Sequence, residues 1–514
     1  MFVQLLLFTP SLILTLLFFL YGFNQYFMLN AARSYLIPTL PEHSNVRPTV
    51  SIQLPIYNER YVIRRLVAAC AVMAEAYGKE KASILLLDDS DDDTVLEVDK
   101  VVAEYKQKHF QIEVLRRECR NGFKAGALQA ALKITKEEFI TIFDADFIPS
   151  ADFLNCTLPY FNRNECLGIV QGRWSHLNQD YNLLTQAISH AIDVHFLIEQ
   201  PGRYSAGLFQ NFNGSGGVLR KKAVLEAGGW QEDTLAEDLD LSYRLQMVGY
   251  RILYLRDILC PGEIPPTVPS FKKQQGRWAC GSLRTARKLL PDILRDRKLT
   301  WKLRLQAFIH LTSYILHPMM LLAFILLCVQ TLYGRQNDIH LTSLIQLGFS
   351  QEAIRVTGAL AIQYLAWELL IVMIVICAAA PWASALIVLK SQNQSILRNL
   401  SSLVILFLIG YGVSLSNTIE AGKALLTNRN WAFARTPKYA TARDNGDWKT
   451  KNYQTSLDFV WVLELAIVIF GGITIGFSIH HSNFGILLFL LPYTASYAFV
   501  CFLTVIQSRK GRVS

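Results

Sequence analysis

Phe139-Ile140-Thr141-Ile142-Phe143-Asp144-Ala145-Asp146-Phe147 is the stretch that decides how this chain reads. Its first five residues, rich in aromatic and β-branched side chains, predict a buried strand. The strand runs into two acids spaced i and i+2, which point the same way from an extended backbone. Two neighbouring carboxylates repel, and a divalent cation between them relieves the repulsion. Hard oxygen ligands at a strand end suit Mg²⁺ or Mn²⁺ carrying a phosphate, so Asp144 and Asp146 are the candidate metal ligands. A solvated Asp turn is the inert alternative for this tripeptide alone.

Outward from this stretch the pattern repeats. Val50-Ser51-Ile52-Gln53-Leu54 predicts a strand, followed by Pro55-Ile56-Tyr57-Asn58-Glu59-Arg60 and an amphipathic helix to about residue 76. Ile84 to Leu87 predicts a second strand, ending in Asp88-Asp89-Ser90-Asp91-Asp92-Asp93. Ile112 to Leu115 predicts a third, leading to Arg120-Asn121-Gly122-Phe123-Lys124-Ala125-Gly126 and another helix. Strands alternating with helices predict a parallel α/β sheet, whose ligands bind at the carboxyl ends of its strands. All four predicted strands carry polar, charged residues at that end. Each segment has an inert reading: Asn58 and Glu59 begin a helix, residues 88–93 form a solvated loop, and Lys124 is a surface lysine. Jointly, Pro55, Tyr57, Asn58, Glu59, Asp88, Asp89, Lys124 and Asp144 describe a site with acids for a metal and a lysine for phosphate oxygens. Such a site suits a nucleotide diphosphate. No GxxxxGKS/T motif occurs and no GxGxxG opens the first helix, which disfavours P-loop hydrolysis and dinucleotide redox chemistry. A metal-held diphosphate without a P-loop suits a nucleotide-sugar donor, the metal offsetting charge on the leaving diphosphate.

Further along, Phe212-Asn213-Gly214-Ser215-Gly216-Gly217 predicts a tight loop where backbone approaches ligand, because structured sequence flanks it. Thr234-Leu235-Ala236-Glu237-Asp238-Leu239-Asp240-Leu241 opens a helix. Acids there either cap the helix or, in an inverting sugar transfer, take the acceptor hydroxyl's proton, a role open to Asp238 or Glu237. Phe271-Lys272-Lys273-Gln274-Gln275-Gly276-Arg277-Trp278 sets a planar cation beside an indole on a predicted helix. Arg277 can fork onto a diphosphate and Trp278 can offer its face to a sugar ring; a membrane-interface anchor is the plainer reading of that pair alone.

Of the 514 residues, 52% are hydrophobic and only 18% charged, too apolar for an ordinary soluble enzyme. The apolar residues gather at 1–29 and 305–510, so the expectation is a soluble domain held in a membrane frame. The net charge of +9 comes from Lys and Arg beside the apolar spans, which fits membrane surface and anionic substrates better than nucleic acid. Nine cysteines form no CxxC pair, which indicates neither a zinc site nor a disulfide scaffold. They fit a reducing compartment.

The order Asp88-Asp89, Asp144-x-Asp146, Glu237-Asp238 and Gln274-x-x-Arg277-Trp278 resembles the membrane-embedded inverting glycosyltransferases of the cellulose-synthase type. The cellulose-synthase-like mannan, glucomannan and glucan synthases are the most similar, their Q-Q-x-R-W-x-x-G pattern being matched by Gln274 to Gly281. The resemblance implies an α/β GT-A domain with a Rossmann-like sheet plus an α-helical transmembrane bundle. It implies Asp88 and Asp89 near the base, Lys124 near the diphosphate, and Asp144 and Asp146 on donor and metal. It makes Asp238 the general base, lines the donor and acceptor site with Gln274, Arg277 and Trp278, and puts the loop Phe212, Asn213, Gly214 and Ser215 against the acceptor sugar. Three departures leave the sugar open: Ala-Glu-Asp for Thr-Glu-Asp, Gly122-Phe123 for His-Ala, and Gly276 for a frequent His.

The expected layout is a transmembrane helix over 1–29, a cytosolic catalytic domain over 30–281, an interfacial amphipathic helix over 282–304 and a transmembrane region over 305–514. The first segment lacks a basic start and reads as an uncleaved anchor with Arg33 and Arg47 on the cytoplasmic side. Apolar runs follow at about 305–333, 362–389, 401–420, 456–479 and 483–507, each near the ~20 residues a span requires. The loop 334–361 is poor in Lys and Arg and is expected outside, while the basic segment 423–451 and the tail Arg509-Lys510-Gly511-Arg512 are expected inside. That parity makes 401–427 an interfacial or re-entrant element. The following loop, 428–452, resembles the cellulose synthases' gating loop through Phe433, Arg435, Thr436 and Lys438. Glu368 within a span is a functional candidate.

These readings point to an inner (plasma) membrane synthase using Mg²⁺ or Mn²⁺, a UDP- or GDP-hexose donor and a growing β-linked, β-1,4, glycan that it exports. The alternative is transfer of one sugar to a lipid acceptor; an inactive transporter-like protein conflicts with the complete set of acids. Membrane lipids are expected partners, nucleic acid is not, and a homo-oligomer or accessory export subunit stays open.

Overall fold

In the computed structural model, residues 2–41, 47–162, 164–333, 372–373, 375–427, 438–440, 448 and 456–508 are described. Its centre is a seven-stranded sheet in the order β3-β2-β1-β4-β6-β5-β7. The strands are β1 Val50–Ile56, β2 Ala82–Asp88, β3 Ile112–Leu115, β4 Phe139–Ile142, β5 Leu167–His176, β6 Gly217–Arg220 and β7 Arg251–Gly262. Ile84 and Leu86 of β2 face one layer with Leu66, Val67, Val98 and Val101 of the helices Ile63–Tyr77 and Thr94–Gln107. Leu85 and Leu87 face the other, with Leu128 and Leu132 of Phe123–Ile134 and Leu241 of Glu237–Met247. The near-continuous apolar strands thus follow from a sheet covered on both faces.

The sheet is mixed, whereas the alternation of the first four strands predicts a parallel one. β6 runs antiparallel to both β4 and β5. Its first residue, Gly217, therefore pairs with Ile142, the last residue of β4. β1, β2 and β3 end at that same edge, and so does β7, where Gly262 pairs with His176 of β5. One edge thus gathers six carboxyl ends and one amino end, and the loop before β6 is delivered into it. Pro55 lies beyond the last β1–β4 pair, Gln53 with Ile142. Its missing N–H costs the ladder nothing there, and the strands part where the cleft opens.

Four helices among the described residues, Thr9–Ala32, Ser313–Tyr333, Val460–His480 and Leu487–Gln507, are long and apolar enough to cross a membrane. They turn large apolar side chains outward, among them Leu488 at 73% and Phe502 at 62% exposure, as a lipid-facing surface does. Between helices the bonds are polar: Gln25 Nε2 donates to Ser384 Oγ (2.9 Å), and Asn417 Nδ2 lies 3.0 Å from His317 Nε2. The chain is a membrane protein that joins a mixed α/β domain to a helical bundle.

The layout departs from expectation in two places. Residues 282–295 are the end of one helix, Val268–Arg295, and their apolar stripe (Ala286, Leu289, Leu290, Ile293) packs on Tyr243, Phe209, Ala307 and Leu311 instead of lying open to lipid. The run from 305 breaks into the helix Trp301–Leu311, a turn at Ser313–Ile315 and the span beyond. The run 401–420 belongs to two helices, Leu400–Gly412 and Ser414–Leu426, bent by 40° across Val413, a shape that a broken span and the expected re-entrant element share. Residues 334–361, Glu368, Phe433, Arg435, Thr436 and the tail from 509 lie outside the described residues.

Candidate active site

The strand-end edge, the turn into Glu237–Met247 and the helix Val268–Arg295 enclose one cleft. Pro55, Tyr57, Glu59, Asp89, Lys124, Asp144, Asp146, Asn213, Glu237, Asp238, Gln274, Arg277, Trp278 and Lys438 all line it.

Asp144 and Asp146 do not share an extended backbone. β4 ends at Ile142, and the chain turns so that Phe147 N donates to Asp144 O (3.0 Å). The two carboxylates consequently take different cations, Lys124 Nζ at 2.7 Å from Asp144 Oδ1 and Lys438 Nζ at 2.6 Å from Asp146 Oδ2. Asp146 is buried, and its Oδ1 has no hydrogen-bond partner among the described residues. No group of three metal-ligating side chains occurs among the described residues. A buried, unpartnered carboxylate oxygen beside a half-open carboxylate fits a hard cation that takes its remaining ligands from a diphosphate and water.

Lys124 joins two of the acidic motifs to the loop before β6. Besides Asp144 it reaches Gly214 O (2.9 Å) and Glu237 Oε1 (3.5 Å). Burial works against its charge, but Asp144 and Glu237 outweigh burial and hold the ammonium above its ordinary range. Asp238 shows the opposite balance. Burial, then repulsion from Glu237, push its carboxyl up to about 7, although Lys124 pulls it down. Leu239 N donates to Asp238 Oδ1 (2.8 Å), leaving Oδ2 toward the loop before β6. Gly214 adopts φ +79, and a Cβ there would stand 2.7 Å from that Oδ2. Only glycine brings this backbone so near the acid.

Ser215 Oγ accepts from Asp144 N (3.0 Å), and Trp174 Nε1 donates to Ser215 O (3.0 Å), so the loop is tied to the β4 end. Phe212 lies elsewhere: its ring is fully buried in the core with Ile142, Leu219 and Leu241 and does not line the cleft. Asp88 is likewise a supporting residue, buried and held by Arg116 Nε (2.9 Å). Asp89 faces the cleft, paired with Arg117 Nε (3.0 Å). Asn58 turns away with φ +56, its Nδ2 donating to Asp91 (2.8 Å). Gln274 is buried, its Oε1 unpartnered among the described residues.

Four lining residues escape a motif reading. Arg120 stacks on the Tyr57 ring at 3.3 Å, although it stands inside the Lys124 segment. Trp174 and His176 come from the end of β5, and Glu263 follows β7, where Arg65 pairs with it at 2.6 Å. Their only signal is a short apolar run, Leu167 to Val170 or Ile252 to Leu255, passing into polar residues.

A mixed sheet with acids, a lysine and an Arg-Trp pair gathered at one edge defines a GT-A glycosyltransferase domain. Residues 51–219 match the model for glycosyl transferase family 2, and residues 139–337 that for glycosyl transferase family group 2. The segment is a family 2 glycosyltransferase domain of the cellulose-synthase-like kind, as its motifs imply. Similar relatives are glucomannan 4-beta-mannosyltransferase 1 of Oryza sativa subsp. japonica, 39% identical over 50% of this chain and 50% of its own, and glucomannan 4-beta-mannosyltransferase 2 of Arabidopsis thaliana, 39% identical over 50% and 48%. The chain spans about half the length of the curated relatives it matches. A mannosyltransferase from Pyrobaculum calidifontis, solved with GDP-mannose and Mn²⁺, superposes with a TM-score of 0.51 at 20% identity, covering 73% of this chain and 99% of that one. That likeness shows the shared fold.

Proposed function

We propose that this chain is a multi-pass plasma-membrane synthase that adds hexosyl units, with inversion, to a growing β-1,4-linked glycan and exports it. Mannose from GDP-mannose is the first donor to test, because the matched relatives are named for mannosyl transfer and the structural neighbour holds GDP-mannose. UDP-glucose is the second.

The single observation that carries the reading is Lys124 between Asp144, Glu237 and Gly214, with Asp238 facing the same loop. It puts a cation for the diphosphate and a raised-pKa acid within one cleft. Asp144 and Asp146 would hold Mg²⁺ or Mn²⁺, which when bound stabilises charge on the leaving diphosphate. Lys124 and Arg277 bind diphosphate oxygens, while Gln274 and Trp278 orient the sugars. Asp238 takes the proton from the acceptor hydroxyl as that oxygen bonds to the anomeric carbon and the bond to the diphosphate breaks. Glu237 sharpens this by raising the affinity of Asp238 for the proton. Lys438, expected on a cytoplasmic lid, reaches the same cleft.

The test is incubation of purified protein in lipid with Mn²⁺ or Mg²⁺ and radiolabelled GDP-mannose or UDP-glucose, followed by product sizing and glycanase digestion. A high-mass product cut by a β-1,4-mannanase or a cellulase supports the reading. A single label migrating with lipid replaces it by glycolipid synthesis.

A further inference from the structure

Beneath the Asn213 loop lies a polar cluster that the motifs do not reach. Between the helices Leu183–Val194 and Gln200–Ser205 the chain widens into one π turn, His195–Glu199. Such turns insert a residue into a helix and re-aim its side chains, frequently at functional sites. Here His195 and Glu199 face one another, with Nδ1 2.8 Å from Oε2.

The bonds order the protons from Gln200 through Asn213 and His195 to Glu199. Gln200 Nε2 donates to the Asn211 carbonyl (2.9 Å), which can only accept, so the amide end of Gln200 is settled. The same Nε2 donates to Asn213 Oδ1 (2.8 Å), so Asn213 turns its Nδ2 toward His195 Nε2 (3.0 Å). That nitrogen must accept, which leaves the His195 proton on Nδ1, donated to Glu199. Glu199 is held in turn by His310 (3.7 Å) and Arg203 (3.9 Å), and His310 Nδ1 lies 2.7 Å from Tyr243 OH on the helix that carries Asp238. Burial and Arg203 lower the His310 pKa, so it stands as a neutral partner. Asn213 therefore has one amide hydrogen engaged and, among the described residues, one left over, and it lines the cleft that Asp238 also lines.

We propose that His195 and Glu199 are positioning residues for transfer: they lock the Asn213 carboxamide so that its second N–H is offered to the acceptor hydroxyl whose proton Asp238 removes. This rests on the glycan-synthase reading above. An acceptor hydroxyl that receives a hydrogen bond from Asn213 and donates one to Asp238 keeps a lone pair for the anomeric carbon. Gln200 holds the carboxamide oxygen and His195 one N–H; with His195 gone a single bond remains, about which the carboxamide can swing its second N–H off that hydroxyl.

The test measures transfer from GDP-mannose or UDP-glucose to a β-1,4-linked oligosaccharide and, separately, slow donor hydrolysis by water. His195→Ala and Glu199→Ala are each expected to lower transfer about ten- to a hundredfold, with donor hydrolysis and donor KM within about twofold of wild type. His195→Gln, which keeps an acceptor for the Asn213 N–H, is expected to regain most of the loss. In an Asn213→Ala background, His195→Ala is expected to add less than about a further twofold, because both act through one amide. Multiplying effects, or a His195→Ala enzyme with normal transfer, overturn the proposal. Absence of transfer by the wild type with both donors overturns the underlying reading instead.

Discussion

Lys438 and Asp146 stand 292 positions apart in the chain, yet their ammonium and carboxylate meet at 2.6 Å inside the cleft. Asp146 Oδ2 is thereby neutralised while Oδ1 stays unpartnered. A lysine at a candidate metal ligand competes with any cation for the same carboxylate.

Lys438→Met is therefore expected to lower the Mn²⁺ concentration giving half-maximal donor binding, by several-fold, and to lower kcat at saturating Mn²⁺. Donor binding titrated against Mn²⁺ in both proteins checks this. An unchanged metal dependence separates Lys438 from the metal site. Thorough chelation is expected to abolish transfer by the wild type.

Asp238 can accept a proton only when ionised, and its carboxyl is pushed up to about 7 by burial and Glu237. Transfer is thus expected to rise with pH up to near neutrality, with an acid limb far above the ordinary ~3.9 of an aspartate. Glu237→Gln removes the like charge and is expected to move that limb to lower pH. Asp238→Asn is expected to cut kcat by about a hundredfold or more while donor binding persists. A pH profile flat between 5 and 8 contradicts the assignment.

The same shift has a stability consequence. The folded pKa lies above the unfolded one, so ionising Asp238 favours the unfolded chain. The fold loses stability as pH rises from about 4 to about 7, and the loss is complete above that window. Asp238→Asn is expected to be more stable than wild type at pH 8, by ~1–3 kcal/mol with a correspondingly higher melting temperature, and equally stable at pH 4. A lower melting temperature at pH 8 means the carboxylate contributes more contacts than its burial costs.

Much of this site was legible, because each motif sits where a strand or helix ends and such ends are marked by abrupt changes from apolar to charged residues. Asp144, Lys124, Asp238 and Gln274 come from four segments, and the alternation of strands and helices already brings the first two to one edge. The direction of β6 was not legible. Four residues, Gly217–Arg220, carry no orientation, and their reversal depends on how residues 177–216 fold beneath the sheet. Phe212 was misplaced for the same reason, since a residue next to a ligand loop can face either the cleft or the core. Lys438 meets Asp146 through tertiary placement, which no local pattern encodes. Arg120 stacks on Tyr57 across the loops that follow β3 and β1, and those loops meet only because β2 pairs with both strands.

Gly281 shows how helix and acid motif are fitted. A Cβ there would stand 2.7 Å from Ala236 Cβ and 2.9 Å from Ala236 N, at the turn leading into Glu237 and Asp238. Inside a helix, Gly→Ala normally gains about 1 kcal/mol. Gly281→Ala is here expected to forfeit that gain and to lower kcat about tenfold or more by shifting Asp238 relative to Lys124. Full activity together with a higher melting temperature shows that the turn can give way.

Lys272 precedes Gln274 and Arg277 on the same helix, and its Nζ lies 2.7 Å from Glu464 Oε1 on the apolar helix Val460–His480. Both side chains are buried, at 5% and 0% exposure, and Glu464 Oε2 has no further partner among the described residues. Removing one partner of a buried pair leaves an uncompensated charge, at a typical cost of ~3–5 kcal/mol. Lys272→Met is therefore expected to lower the melting temperature sharply and to lower transfer with it. Replacing both partners, Lys272→Met with Glu464→Leu, removes both desolvation costs and is expected to restore stability to near wild type. Transfer distinguishes two roles for the pair. Recovery of transfer along with stability makes it a fastening between the active-site helix and the membrane helix, whereas a stable but inactive double variant makes the charge itself part of how that helix is positioned.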